Sequence, residues 1–250
     1  MDRASDPLSA AAIVVPGVEV RVVERCGSTN DLLLKQNPEK PALIAAEEQT
    51  AGRGRRGRRW HSAPGAGITF SLGRRIHRPV RELAALSLVA GVAATRALRA
   101  LGAHQAALKW PNDLVVDGAK LGGILVETRG NHAVIGIGLN CRRDATIEAK
   151  VGRRLAYLNN SVTRNEVIRR IGLALLEAID QFEKNGLDAL RGEWEAMHAH
   201  AGQKLRVRLA DGRTLSGIAA GLGADGSLQL HTRQGMRAVT SGRVVSARAA

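Results

Sequence analysis

The sequence predicts an α+β protein: a mixed β-sheet flanked by helices, followed by a small C-terminal antiparallel barrel. Three observations carry this. At 250 residues and 44% hydrophobic, the chain can bury one ordinary core and a small second module. Up to about residue 200, short strand-like apolar runs alternate with longer segments whose apolar residues recur at helical spacing. Beyond Gly202 only short alternating runs remain, punctuated by Asp-Gly turns. The expected division is a loose leader over residues 1–17, a main domain over 18–201 and a small module over 202–250.

The leader is mixed in character and ends at Pro16-Gly17; its apolar stretch is too short and too poorly flanked for a signal peptide. Val18 to Glu24 alternates as a strand and delivers the chain to Gly27, Ser28, Thr29 and Asn30, just ahead of the helical run DLLLK. Ser, Thr and Asn are good helix N-caps, and local sequence favours that reading. The other reading is a set of polar groups presented to a small ligand at a helix N-terminus.

Ala42 to Ala46 is an apolar strand that runs into EEQTAGRGRRGRRW, Glu47 to Trp60, with five arginines, three glycines and no apolar periodicity. Glycines at 52, 54 and 57 disfavour a helix or stable strand and let backbone approach a ligand closely. The arginines offer forked donors suited to phosphate or carboxylate. Ile68 to Leu72 leaves the segment as another strand. A mobile cationic loop between two buried strands is expected, folding over an anion. A solvated or RNA-binding Arg/Gly segment is the alternative, but such segments belong in low-complexity regions, and nothing else here is low complexity.

From Pro79 to about Leu101 the apolar residues Leu83, Leu86, Val89, Ala90, Ala93 and Leu98 mark a scaffold helix. Lys109 to Glu127, KWPNDLVVDGAKLGGILVE, reads as a Pro-interrupted entry, a strand from Leu114, an Asp117-Gly118 hairpin turn and a returning strand to Val126. Lys120 lies just after that turn, with Gly122 and Gly123 behind it, and glycines inside a strand mark close approach by a ligand or backbone. Taken singly, Lys120 reads as a solvated hairpin lysine and Asp113 as a turn former. HAVIGIGL, His132 to Leu139, is a buried strand ending at Asn140, itself a turn residue or a ligand donor. Thr163 and Glu166 form a capping box for an amphipathic helix through Phe182, closed by Asn185-Gly186. A shorter helix from Leu187 to about His198 follows. His198 and His200 have the wrong spacing for a metal site and read as surface, as does His61. KLRVRL, TLSGI, SLQLH and MRAVTSG complete the C-terminal module, whose length suits an SH3-like barrel.

The net charge of +14 favours anionic partners, nucleic acid included. Against that, aromatic residues are only 2%, which denies the chain a base-stacking platform. Cys26 and Cys141 are isolated, which argues against zinc and disulfides and fits a reducing compartment. No run approaches the ~20 apolar residues of a membrane span, so a cytoplasmic protein is expected.

In order and spacing, GSTN, EEQTAGRGRRGRRW, KWPND with KLGGILVE, and GIGLN together resemble the biotin protein ligases, over about residues 20–250. The resemblance implies a class II synthetase-like, biotin ligase-like main sheet and an SH3-like C-terminal barrel. It implies an ATP-dependent ligase that converts biotin to biotinyl-5'-AMP and passes it to a lysine of a biotin carboxyl carrier protein of the acetyl-CoA carboxylase type. Carried over by position, Ser28, Thr29, Asn30, Gln49, Arg53, Gly54, Arg55, Lys120 and Gly123 would bind biotin. Arg55, Arg56, Trp60, Asn112, Lys120 and Asn140 would bind ATP or the adenylate. Lys120, Arg53 and Asp113 would act in catalysis, Asp113 as a Mg²⁺ ligand or as an aid to deprotonating the acceptor amine. The glycine-containing strands near 122 and 136 would let biotin lie flat on the sheet. The 27 residues before Ser28 are too few for the winged-helix DNA-binding domain of the bifunctional members, which points to the monofunctional form. A lipoate or octanoate ligase of the same fold is the nearest alternative, and a basic nucleic-acid-binding protein the next; Gln49 and the arginine loop favour biotin.

Overall fold

The computed structural model describes residues 6–158 and 162–248; the first five residues of the expected leader and the last two of the C-terminal module lie outside the described residues. The architecture is α+β. Seven strands form one mixed sheet: β1 (Glu19–Cys26), β2 (Ala42–Gln49), β3 (Gly67–Arg75), β4 (Ala107–Lys109), β5 (Asp113–Val116), β6 (Ala119–Arg129) and β7 (His132–Asn140). Their order is β1-β2-β3-β7-β6-β5-β4. Only β1 and β2 run parallel, joined by the crossover helix α1 (Thr29–Gln36).

Period-two alternation gives the sheet two unlike faces. In β7, Ile135, Ile137 and Leu139 enter the main core with Phe70, Leu72 and Ile124, while Gly136 and Gly138 fall on the opposite face. The core face is covered by α2 (Leu86–Ala100), which is buried along most of its length, and by α4 (Arg164–Asn185). Val167, Ile168, Ile171, Leu175, Ile179 and Phe182 line the α4 stripe. Each such side chain, fully buried, contributes about 1.5–3 kcal/mol of transfer free energy. Helix α4 starts where expected: the Thr163 hydroxyl accepts from the Glu166 N–H at 3.2 Å. The other face carries α1, α3 (Ala145–Val151) lies to one side, and α5 (Asp188–Ala196) packs on α2 and α4.

Residues 204–248 form a second, antiparallel sheet of five strands, β8 (Lys204–Leu209), β9 (Thr214–Leu222), β10 (Leu228–Thr232), β11 (Gly235–Val239) and β12 (Gly242–Arg248), in the order β11-β10-β9-β8-β12. It is held to the first domain by Trp110 Nε1 donating to the Gly226 carbonyl at 3.2 Å and by the Leu222 N–H donating to Glu195 at 2.8 Å.

Three expectations change. From residue 6 onward the leader is packed: Leu8, Ile13 and Val15 are buried, and buried Arg164 bonds both the Asp6 carbonyl and Glu47. The apolar side chains at 8, 13 and 15 have no periodicity, so the segment resembles a linker until the groove that receives it is formed. Val80–Ala100, a 3₁₀ turn running into α2, does have the length and apolarity of a membrane span, but 72% of its apolar window is buried inside the protein as the core helix. His198 is buried against Trp194, with ring centroids 4.6 Å apart, and His200 is half-buried; neither is a surface residue.

Candidate active site

The face of the sheet opposite the main core is small and polar where α1 meets it. Across the β3–β7–β6 ladders, Thr69 opposes Gly138 and Gly138 opposes Gly123, while Ser71 opposes Gly136 and Gly136 opposes Leu125. A cavity of about 410 Å³ opens over these rows, walled by α1, the loop between β2 and β3, and α3. Ser28, Thr29, Asn30, Gln49, Arg53, Gly54, Arg55, Trp60, Asn112, Lys120, Gly123 and Asn140 all line it. Residues from four separate stretches of sequence thus converge on one space.

Ser28 stands at the N-cap of α1, yet its side chain makes no capping bond, and Ser28, Thr29 and Asn30 are all buried. The capping reading is therefore corrected: the Ser28 side chain does not cap, and Thr29 and Asn30 serve a tertiary network. Thr29 donates through its backbone N–H to Gln49 Oε1 at 2.8 Å, and its hydroxyl lies 2.6 Å from that of Ser71. Ser71 donates to Asn30 Oδ1 at 2.6 Å, and Asn30 Nδ2 donates to Glu127 Oε2 at 2.8 Å. Glu127 in turn accepts from Arg53 Nη2 at 2.8 Å, and Asp31 pairs with the same guanidinium at 2.6 Å. Arg53 is thus a latch between the loop, β6 and α1. Ser71 and Glu127 were not expected here. The period-two count was available, since Gly123, Leu125 and Glu127 share a face, but a carboxylate near a strand end reads as solvated until α1 is laid over it.

The loop is ordered by its own backbone: Trp60 N–H donates to the Gly52 carbonyl at 2.9 Å, Gly54 N–H to Arg58 at 2.7 Å, and residues 55–57 form one 3₁₀ turn. The Trp60 ring lies against Gly138, where an added Cβ would come within 2.4 Å of it. At Gly136 a Cβ would come within 2.3 Å of Asn30 Oδ1. These glycines line the cavity and at the same time admit the protein's own Asn30 and Trp60. Gly123 is different, since the nearest atom to a Cβ there is Lys120 Nζ at 3.1 Å.

Lys120 sits just past the Asp117-Gly118 turn, whose residues both take positive φ, and its ammonium is paired with Asp113 and lies 5.8 Å from the centre of the Trp60 ring. Burial pushes the Lys120 pKa down, with Asp113 pulling the other way. Burial likewise lowers Arg55, aided by Arg56 and Arg58, and its guanidinium makes no hydrogen bond or ion pair among the described residues. Arg56 is turned away: exposed, it donates to Ser241 Oγ at 3.1 Å and does not line this cavity. Asn112 Nδ2 is bonded to the Ile124 carbonyl, and Asn140 Nδ2 to the carbonyls of Lys120 and Ala156. Both amides therefore spend donors on holding β5, β6 and the 156 segment, a positioning role that their places at strand ends did not disclose. His61 is half-buried at the cavity wall.

A resident magnesium ion does not fit these residues. Among the described residues no three His, Cys, Asp or Glu side chains cluster, and the Asp113 carboxylate already holds an ammonium. Mg²⁺ keeps most of its waters and leans on substrate phosphates, so any ion would arrive with the nucleotide.

Residues 22–140 match the biotin/lipoate A/B protein ligase family and residues 200–245 the biotin protein ligase C-terminal domain. The chain is 34% identical over 245 residues to the biotin–[acetyl-CoA-carboxylase] ligase of Mycobacterium tuberculosis, covering 92% of this chain and 90% of that protein. It is 34% identical over 224 residues to the bifunctional ligase/repressor BirA of Escherichia coli, covering 86% of this chain and 70% of the relative. The fold superposes on the Aquifex aeolicus biotin protein ligase solved with biotin and ATP, with TM-score 0.80 and 25% identity over 93% of this chain and 99% of that one. With these likenesses over both its sheets, the chain belongs to the biotin protein ligase family.

Proposed function

We propose that the protein activates biotin with ATP and transfers it to one lysine of a biotin carboxyl carrier domain of the acetyl-CoA carboxylase type. The observation that carries this reading is Lys120, half-buried beside Gly123 and facing a cavity roofed by the arginine loop. Biotin pairs an apolar bicycle and chain with a polar ureido head and a carboxylate. The Ser28–Thr29–Gln49 corner suits the ureido group, and Lys120 the carboxylate.

Activation brings two anions together. A carboxylate oxygen of biotin attacks the α-phosphorus of ATP, the bond to the bridging oxygen breaks, and pyrophosphate leaves with that electron pair. Lys120 and Arg55 supply positive charge at the reacting oxygens, and one such preorganised donor is worth ~3 kcal/mol, about a hundredfold in rate. A magnesium ion arriving with the nucleotide would supply further charge neutralisation. In the second step the acceptor amine, having lost its proton, attacks the acyl carbon and AMP departs. Asp113 acts first as the group that positions Lys120. Any help to the acceptor amine, whose reference pKa is ~10.4, comes second. Closure of the loop keeps water from the mixed anhydride in between.

The reading places the reaction in the cytoplasm, where ATP and carrier domains meet, and two unpaired cysteines agree with a reducing compartment. The test is pyrophosphate release from purified protein with ATP and Mg²⁺ in the presence of biotin, lipoate or octanoate. Biotin-dependent release, falling at least a hundredfold in Lys120→Ala and substantially in Asp113→Asn, is expected. Release with lipoate or octanoate alone would transfer the protein to the sister activity within the matched family.

A further inference from the structure

The net charge of +14 is unevenly placed. Residues 202–250 hold eight Lys and Arg against two Asp, so six of the fourteen net positive charges lie in the last 49 residues. Strand alternation then sorts them by face. On β8, Leu205 and Val207 are buried while Lys204, Arg206 and Arg208 are exposed; on β12, Val244 is buried while Arg243 and Arg248 are exposed. Pairing sets these cations in rows on one outer face, Thr214–Arg208–Arg243, Ser216–Arg206–Ser246 and Ile218–Lys204–Arg248, across β9, β8 and β12. Both carboxylates stand off these rows in turns, Asp211 on Arg213 and Asp225 on Ser227. No side chain of the five cations makes an ion pair or hydrogen bond among the described residues.

Arg208 faces Arg243, and Lys204 faces Arg248, directly across the strands. Like charges so opposed destabilise an antiparallel pair, and an anion from outside the chain would relieve both repulsions. That anion has to repeat, since Lys204, Arg206 and Arg208 step about 7 Å apart along β8. Four of the five cations are arginines, whose forks suit phosphate. Thr214, Ser216 and Ser246 set hydroxyls among them, and hydroxyls bond phosphate oxygens and sugars. No Phe, Trp or Tyr occurs in residues 202–250. This removes both the stacking platform of single-strand binders and the aromatic anchors of a membrane surface. The face is one side of a five-stranded sheet, broader than the helix or two-stranded ribbon that the B-DNA major groove admits. A-form RNA instead offers a wide, shallow minor groove lined by phosphates and 2′-hydroxyls.

We propose that the outer face of β9, β8 and β12 docks double-stranded RNA through its phosphates and 2′-hydroxyls, without reading its sequence. This goes beyond the ligase reading and does not depend on it. Arg208 and Arg243 also border the cleft beside the arginine loop, so Lys204, Arg206 and Arg248 are the residues that isolate the face.

The experiment compares the full chain with a Lys204→Gln/Arg206→Gln/Arg248→Gln variant by fluorescence anisotropy. The probes are a labelled RNA duplex of about 16 base pairs, the length that a duplex-RNA-binding domain spans, and a DNA duplex of the same sequence. Wild type should bind the RNA more tightly than the DNA, with an affinity that falls steeply between about 50 and 200 mM salt. The variant should bind the RNA at least about tenfold more weakly, with a log–log salt slope shallower by about three, one for each cation removed. An Arg206→Lys/Arg248→Lys variant should keep most of the binding, because the charges remain. Without ligand the triple variant should melt no lower than wild type, since the Lys204–Arg248 repulsion is gone, and its pyrophosphate release with biotin and ATP should match that of wild type. Equal RNA affinity and salt slope in the two proteins would overturn the proposal, and so would tighter binding of the DNA. A loss in the variant confined to the KM for a carrier domain, or to binding of phosphatidylglycerol vesicles, would also overturn it and give the face to an acidic protein or a lipid surface.

Discussion

Lys120 must stay charged in a place that discourages charge: burial lowers its pKa, and Asp113 opposes the shift. Such a pair is what a site needs when it must hold a cation ready for an incoming carboxylate without leaving it exposed to water. The arginines around it divide the labour. Arg53 is bound by Asp31 and Glu127 and pins the loop, whereas Arg55 presents a half-buried guanidinium with no protein partner. Arg55→Gly should therefore leave activation measurable but let the intermediate escape. After brief incubation with labelled biotin and ATP, adenylate recovered with the protein on gel filtration should fall at least tenfold, and bystander lysines should become labelled. Retention equal to wild type would show that Arg55 takes no part in holding the adenylate.

At the scale of elements, β7 does two jobs by alternation. Its odd-numbered residues pack the core while Gly136 and Gly138 make room for α1 and the loop. This is why the loop's position depends on a residue that it does not contain. Gly138→Ala should push the Trp60 ring off the sheet and with it the neck closed by Trp60 and Gly52. We expect a red-shifted tryptophan emission and a KM for ATP raised several-fold, with the overall fold retained by circular dichroism. Unaltered emission and kinetics would mean that the loop is not seated through Trp60. Helix α1 shows the same dependence on neighbours, since Thr29 and Asn30 in its first turn are spent on Gln49, Ser71 and Glu127.

For the whole molecule, the junction between domains carries a pH dependence. His198 is buried beside Trp194, and burial, with a smaller push from His200, lowers its pKa to about 4. It folds neutral, while the unfolded chain protonates near 6.5. Stability from this group is therefore complete above about pH 6.5 and lost as pH falls toward 4, by roughly 2 kcal/mol at pH 5. Urea midpoints at pH 7 and pH 5 should show the drop in wild type and a smaller one in His198→Leu; parallel drops would remove His198 as its source. The elements themselves were legible in sequence because their signals are local: helical spacing, Asp-Gly turns, the Thr163–Glu166 cap and the arginine loop. Glu127, Ser71, the packed leader and the buried histidines were not, because each takes its meaning from a partner many residues away. The glycines were legible as sites of close approach, but not as to what approaches. The decisive measurement is intact mass spectrometry of an isolated biotin carboxyl carrier domain incubated with this protein, ATP, Mg²⁺ and biotin. A single added biotin at one lysine, absent without ATP and absent with Lys120→Ala, is the expected result; an unmodified carrier, or one acylated only by lipoate or octanoate, would contradict the assignment.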